Sequence, residues 1–439
     1  VLVVALLVAA LIALVLGGYL SLNLGSARLS QRTFNRGASF HLAEAGLEEG
    51  LWTYNRLLAG QSDAWEGWAL SGEAAWRRFD GFTLATATSG AIKVYASPVA
   101  PDEHARPTLV ALASVQSPGG APVTQLLEVS LRRRSFFAAG LVAREGLAFK
   151  GRNASFDSWD SDPDQNPATP AVPYSASGAV DTGEVATGAK VDADLELNQA
   201  RIFGYLRTGG AEPTLRSPGL IGPFGTADGV IDSARIALDF NDEFPVITAP
   251  TDGVFLGSFG ATLGTLGQAT SWRASALHLS GNQTLTIHGD VVLVLTNPLE
   301  ALSISGRARI VVPVGSSFTV YLAGDVLVAG NGILNQNVAP AALQLWSTEP
   351  GLRRQRIQIA GGGGLTGVVY APAAEFIVFG NGEFFGALVA GEVVFGGNAA
   401  YHHDLALGRL VRHAPYRSSG WRVVDDPARR AALLPLVDR

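Results

Sequence analysis

VLVVALLVAALIALVLGGYLSLNLGSARLSQ (residues 1–31) is the stretch on which the reading of this chain turns. Val1 to Leu16 is an unbroken apolar run, and no charge appears before Arg28. A run without a polar face must be enclosed by apolar matter on every side, either lipid or neighbouring helices. The hydrocarbon core of a bilayer takes ~20 such residues. From Arg28 the pattern turns amphipathic and stays helical to about Leu58. Leu47, Leu51, Tyr54 and Leu58 share one helix face, and Phe34, Ala38, Leu42 and Ala45 follow similar spacing on a neighbouring face. The expectation is one helix roughly 85 Å long, with one stripe under the chain's own sheet and the other toward a neighbour. Glycine in a helix interior costs roughly 1 kcal/mol relative to alanine. Gly17-Gly18 therefore marks either a point of unwinding or a place of close helix packing. Glu44, Glu48 and Arg56 read as a solvated face with no role beyond assembly.

Composition narrows the class. The 439 residues include no cysteine and no methionine, which excludes disulfides and thiolate metal sites. Lysine occurs only at Lys93, Lys150 and Lys190, a codon bias that accounts equally well for the missing sulfur residues. A net charge of −6, with 16% charged residues, argues against a nucleic-acid-coating protein. Low charge together with 52 glycines and many Val, Leu, Ile and Phe points to a large β body. Length alone predicts two to three domains.

From Gly60 the periodicity changes. GFTLATAT (81–88), AIKVYASPV (91–99), TLVALASVQS (108–117) and VTQLLEVSLRRR (123–134) are short alternating runs separated by turn residues. They predict four antiparallel strands lying on the second half of the helix. After Arg134, segments such as LSISGRARIVV and FTVYLAGDVLVAGNG recur with glycine corners at Gly281, Gly306, Gly330, Gly361, Gly380 and Gly397. A spacing of roughly 17 to 31 residues with Gly or Asn corners predicts a parallel β-helix. Each coil cannot bury its inward face alone, so stacking builds one continuous core. A Pro-, Gly- and Asp-rich stretch at 209–273 breaks the pattern and reads as an insertion.

Two sets of residues carry a family resemblance. Ala43-Glu44-Ala45-Gly46, continued by Leu47-Glu48-Glu49-Gly50-Leu51 after the apolar half-helix, resembles the N-termini of PilX-type minor pilins and related type IV pilin-like proteins. The likeness covers about the first 60 residues. It implies cleavage by a prepilin peptidase just before Val1, which would be the mature N-terminus and a site of N-methylation. The absence of an initiator methionine fits a processed form. One departure stands out: Ala5 replaces the glutamate with which type IV pilins usually pair the free amino group of a neighbouring subunit. Further along, Asp157-Ser158-Trp159, the Gly-Asn corners, GVVYAP (367–372) and Tyr401-His402-His403-Asp404 look like the β-helical domain often attached to such N-termini.

The expected class is α+β, mainly β. It comprises a long pilin-type helix (1–60), a small antiparallel β-sheet head (61–135), a large parallel β-helix (136–408, with the insertion at about 209–273) and a C-terminal tail (409–439). Val1, Ala5, Val8, Ile12, Leu16, Gly17 and Gly18 are the expected assembly and membrane residues. Asp157, Asp160, Asp162 and Asp164 form an acidic loop able to offer oxygens to calcium. It lacks the glycine and distal glutamate of a standard loop and is interrupted by Pro163, so a solvated turn is the better reading. His402, His403 and Asp404 suggest an acid/base pair, or more simply a hydrogen-bonded corner. GGGG at 361–364 lacks a following Lys-Ser/Thr and is no phosphate loop. No catalytic residue and no cofactor is expected, although carboxylates from different coils could pair for glycan cleavage. Three functions compete. The first is a structural subunit of an extracellular type IV pilus-like filament, a homo-oligomer held in the inner membrane before assembly and handled by the pilus machinery. The second is a minor or tip pilin binding a surface or glycan. The third is a membrane-tethered glycan-acting enzyme.

Overall fold

The computed structural model describes every residue except 1, 103–104, 167–168, 349–352, 361–363, 381 and 439, and the side chains of 3–5 also lie outside the description. The expectations for Val1, the Ala5 side chain, Gly361 and most of GGGG therefore fall outside it. The chain divides into two compact units, Val1–Arg134 with His413–Arg439, and Ser135–Arg412.

In the first unit, helix α1 runs Leu2–Leu58 and passes unbroken through Gly17 and Gly18. No proline interrupts this Leu- and Ala-rich segment, and neither glycine has a neighbour within 4 Å whose packing would favour unwinding. Gly60, at φ +72°, ends the helix in the left-handed conformation open to glycine, its N–H donating to Leu57 O at 3.0 Å. Residues 6–34 are exposed all round. From Asn35 a buried stripe begins: Asn35, Ser39, Leu42, Ala43, Gly46, Leu47, Gly50 and Tyr54. Of the stripe expected under the sheet, Leu47 and Tyr54 are buried and Leu58 is exposed; of the neighbouring set, Phe34 and Ala45 are exposed and Leu42 is buried against the sheet instead. Close approach to the sheet selects small residues here. A Cβ on Gly46 would lie 2.8 Å from Ile92 Cγ2, and one on Gly50 would lie 2.6 Å from Leu109 Cδ2.

The sheet beneath α1 is antiparallel. Strands β1 (Ala69–Ser71), β2 (Ala74–Ala85), β3 (Thr88–Ser97), β4 (Thr108–Gln116) and β5 (Val123–Arg133) follow one another in space. A sixth strand, Tyr416–Val423, pairs antiparallel with β5. The segment expected as a tail thus completes the sheet. Its anchors are polar. The Asn55 amide donates to Tyr416 O at 3.3 Å and accepts from Tyr416 N at 2.8 Å, standing in for a strand partner. Glu128, almost fully buried, accepts from Arg422 Nε at 2.8 Å and from two nitrogens of Arg429. Helix α2 (Pro427–Val437) is capped by Asp426, which accepts from Arg429 N at 2.7 Å, and it buries Leu433 and Val437 against Val110 and Leu126.

The second unit is mostly β, and the strand pairings recorded within it run parallel. One column of paired residues reads Leu277, Leu302, Val326, Ile357, Phe376, Val393, Leu147 and Leu195, all buried. Another reads Leu365, Phe384, Tyr401, Phe156, Ile202 and Ile221. Each strand buries one face in a continuous core, as strand periodicity requires. Corner glycines lie over one another: Gly281, Gly306 and Gly330 all have positive φ, and a Cβ on Gly330 would sit 2.0 Å from Gly306 O.

Spatial order is not chain order. The Leu141–Phe149 strand pairs with Glu383–Gly396, and Ser155–Trp159 pairs with Ala400–Asp404, so the last strands of the unit lie against its first. From this joint the chain builds outward through Glu184–Thr187, Tyr205–Thr208 and Ile236–Ala237. It then crosses to the opposite end and builds back from Thr262–Ala274. The crossing is the Pro-rich segment after Phe240. Phe240 N donates to Thr208 O at 2.9 Å, Pro245 O accepts from Tyr370 OH at 2.9 Å, and Thr251 O accepts from Arg273 at 3.1 Å. The stretch at 209–273 is therefore not an insertion. It contributes short strands and a strap that runs along the whole stack, where extended, proline-bearing backbone is suited to a path with few ladder bonds.

Candidate functional site

Two regions hold the residues marked out by sequence. In the first, Val8, Ile12 and Leu16 lie on the exposed half of α1, with 51%, 52% and 53% of their surfaces open to solvent. This half carries a window of mean hydropathy 2.1, long and apolar enough to cross a membrane, with none of it buried within the chain. Burying such side chains is worth about 1.5–3 kcal/mol each, so the surface demands a partner outside its own chain.

The second region is the joint between the first and last strands of the second unit. Parallel pairing sets His402 beside Asp157 and Phe385 beside His402. His402 Nδ1 lies 2.6 Å from Asp157 Oδ1, whose other oxygen accepts from Tyr174 OH at 2.9 Å. The Tyr174 ring covers the imidazole at 3.9 Å between centroids, and Phe385 stacks on it at 4.8 Å. Burial first, then the Asp157 charge and its hydrogen bond, push the Tyr174 phenol well above its ordinary value. Ser158, next to Asp157 in sequence, is already engaged: it donates to Val180 O at 2.8 Å and accepts from Gly183 N at 2.9 Å. The His–Asp pair thus bridges two adjacent parallel strands under an aromatic cover.

Its neighbours are also engaged by hydrogen bonds and ion pairs. His403 points inward and is fully buried, with Nε2 3.3 Å from Phe137 O, and burial pushes its imidazole down to about 4 against a partial rise from that hydrogen bond. Gly140 makes room for it, since a Cβ there would fall 2.3 Å from the imidazole Cγ. Asp404 accepts from Ser161 N at 2.9 Å, Ser161 Oγ at 2.7 Å and Ala406 N at 3.1 Å; burial outweighs these bonds and raises its carboxyl. Asp160 and Asp162 both face Arg409, at 3.5 and 3.0 Å. Asp164 accepts from Asn166 N and Thr169 Oγ1, each at 3.1 Å. Asp157 is thus taken up by His402 and Tyr174, Asp160 and Asp162 share Arg409, and Asp164 is held by Asn166 and Thr169; among the described residues no group of three or more His, Asp or Glu side chains is placed to hold a metal ion.

Two surface grooves lie on the second unit. One of about 540 Å³ is lined by Glu300, Asp325, Arg353 and Arg356; Arg353 pairs with Asp325 at 3.1 Å, while Arg356 pairs with Glu375 at 3.0 Å. The other, of about 570 Å³, presents Asp252, Ser271, Asp290, Ser317, Thr319 and Arg412. Neither was marked by the sequence, because its residues meet only through the parallel pairing of separate strands. The small face Ser39, Ala43, Gly46 and Gly50 was legible in principle from its helical spacing.

A family model described as a domain of unknown function (DUF7305) matches residues 258–410. The match begins where the strap ends and takes in the run of strands from Thr262 to Asp404. Comparison with curated proteins gives no match. Among solved structures, the chain is similar to the crystal structure of the competence-associated pilin ComZ from Thermus thermophilus, at 12% identity over 90% of this chain and 97% of that one, with a TM-score of 0.25. A superposition that loose adds nothing to the fold described above.

Proposed function

We propose that this chain is a structural subunit of an extracellular type IV pilus-like filament, anchored in the inner membrane by the first half of α1 before assembly and packed through it afterwards. The observation that carries the reading is the helix itself: residues 6–34 are exposed, with 6–20 wholly apolar and no charge before Arg28, on the same rigid element whose second half is bolted to a sheet. The Ala43–Gly50 signature adds to it, since Ala43, Gly46 and Gly50 form the seat of that sheet. We read Ser135–Arg412 as a parallel β-helix. Parallel columns of buried residues and stacked glycine corners support that reading. Its role is display rather than turnover.

Val8→Asp or Ile12→Asp, expressed in cells that make the filament, should remove the chain from sheared surface filaments, because a charge there costs about 3 kcal/mol in an apolar surround. Normal filaments from either variant would overturn the reading. A second reading, a minor or tip subunit that binds a saccharide, draws on the groove at Asp290, where hydroxyl and carboxylate groups face solvent. Screening the purified chain against polysaccharides, with Asp290→Ala as control, tests it. Cleavage of any of them would contradict a non-enzymatic role.

A further inference from the structure

Three arginines follow the apolar half of α1. Arg28, Arg32 and Arg36 recur every fourth residue, so they form one slowly turning stripe on the helix. All three are exposed, and among the described residues none has an ion-pair partner. No acid precedes Glu44 in the chain. On the second half of the same helix, Glu44 and Glu48 line a groove of about 280 Å³ between α1, β5 and the C-terminal strand. Leu47, Leu51, Val129 and Trp421 also line it. Trp421 is held edge-on by Phe40 at 5.8 Å while 45% of its surface stays open. Among the described residues Glu44 pairs with His41 alone, at 3.0 Å on the surface.

At about 100° per residue, Glu44 lies about 160° round the helix from Arg28, and Glu48 stands in the same relation to Arg32. Opposite charges on nearly opposite faces cannot meet within one helix. They can meet between parallel copies, and complementary patches on opposite faces generate an open, propagating array rather than a closed dimer. We propose that the Arg28–Arg32–Arg36 stripe of one copy docks on the Glu44–Glu48 groove of a second copy of this chain. The two helices run parallel and are displaced by about 24–30 Å, the rise between Arg28 and Glu44 or Glu48. The contact gives the array its register, which the uniform apolar half of α1 is too featureless to fix. This inference rests on the filament reading.

The test uses the full chain in phosphatidylcholine vesicles. The chain has no cysteine, so a mixture of Arg32→Cys and Glu48→Cys chains reports the pairing as a disulfide between copies. Strong cross-linking is expected, with little in an Arg32→Cys and Leu22→Cys control. In parallel, Arg28→Glu with Arg32→Glu should lower self-association about tenfold. Adding Glu44→Arg and Glu48→Arg to the same chain should restore it. Association unchanged by the reversals overturns the inference alone. A wild-type chain that does not self-associate overturns the inference and the filament reading together. Loss that appears only in vesicles containing phosphatidylglycerol, and is not restored by the compensating pair, assigns the stripe to anionic lipid headgroups and overturns the contact between copies.

Discussion

Glycine makes close contact in both units, but what it approaches differs. In the first unit Gly46 and Gly50 bring α1 down onto the ends of Ile92 and Leu109 side chains, groups able to turn aside. In the second unit the tightest approaches are backbone to backbone: a Cβ on Gly151 would fall 1.4 Å from Gly397 O, and one on Gly386 would fall 1.9 Å from Gly367 O. A helix seated on a sheet can yield, whereas coils joined by ladder bonds cannot. The first unit is accordingly closed by polar clamps between distant parts of the chain, Asn55 to Tyr416 and Glu128 to Arg422 and Arg429. The second is closed by repetition.

The largest consequence falls on Gly151. Gly151→Ala should destabilise the second unit by about 4 kcal/mol or more while leaving the α1 helix folded. Limited proteolysis should cut within Ser135–Arg412 first. Native-like resistance there would refute the backbone-contact account.

Acid should separate the units next. Burial holds His403 down to about 4 in the folded state, so the unfolded chain takes up a proton first. The second unit therefore loses stability as pH falls from about 6.5, the ordinary histidine value, towards 4, by about 3 kcal/mol in all. Asp404 opposes this at the acid end: its raised carboxyl takes up a proton in the folded state first. In the first unit, burial pushes the Glu128 carboxyl up, but the hydrogen bonds from Arg429 and Arg422 outweigh it and leave it below the usual range. Its contribution is intact above about 4.3, the ordinary glutamate value, and is lost only as pH falls through its folded value. Hydrogen exchange followed separately in the two units between pH 7 and pH 4 should show the second weakening first. His403→Gln should flatten that slope.

Glu128→Gln should cost about 2 kcal/mol, the worth of charged hydrogen bonds to half-exposed partners. The loss should appear as faster exchange in Tyr416–Val437. Smallest are the helix glycines. Gly17→Ala and Gly18→Ala meet open space and should each raise helix stability by about 1 kcal/mol in the isolated chain. Gly50→Ala should come out within about 1 kcal/mol of neutral, helix propensity offsetting the displaced Leu109.

The helix was legible in the sequence because a single property, unbroken apolarity followed by helical spacing, persists over Val1–Leu58. Strands β3 to β5 were legible from alternation and turn residues. The Tyr416–Val423 strand was not, since its partner β5 lies far back in the chain and YRSSGWRV has no clean alternation. The course of the second unit was hidden for a related reason. Strands as short as Ile236–Ala237 and Val254–Phe255 carry no period, and nothing local in Leu141–Phe149 announces that it will pair with Glu383–Gly396. At the joint, Asp157 and His402 stood out as residue types, yet only the parallel register brought them to 2.6 Å, under Tyr174, whose part the sequence did not suggest.

The central claim is that the first half of α1 is exposed in the single chain because its partners are other copies. Purified surface filaments containing this chain, imaged by electron cryomicroscopy to side-chain resolution, test it most directly. The account predicts a core of parallel α1 helices with Val8, Ile12 and Leu16 buried between copies. A core built without this chain's α1, or an α1 left in lipid while the filament forms, would contradict it.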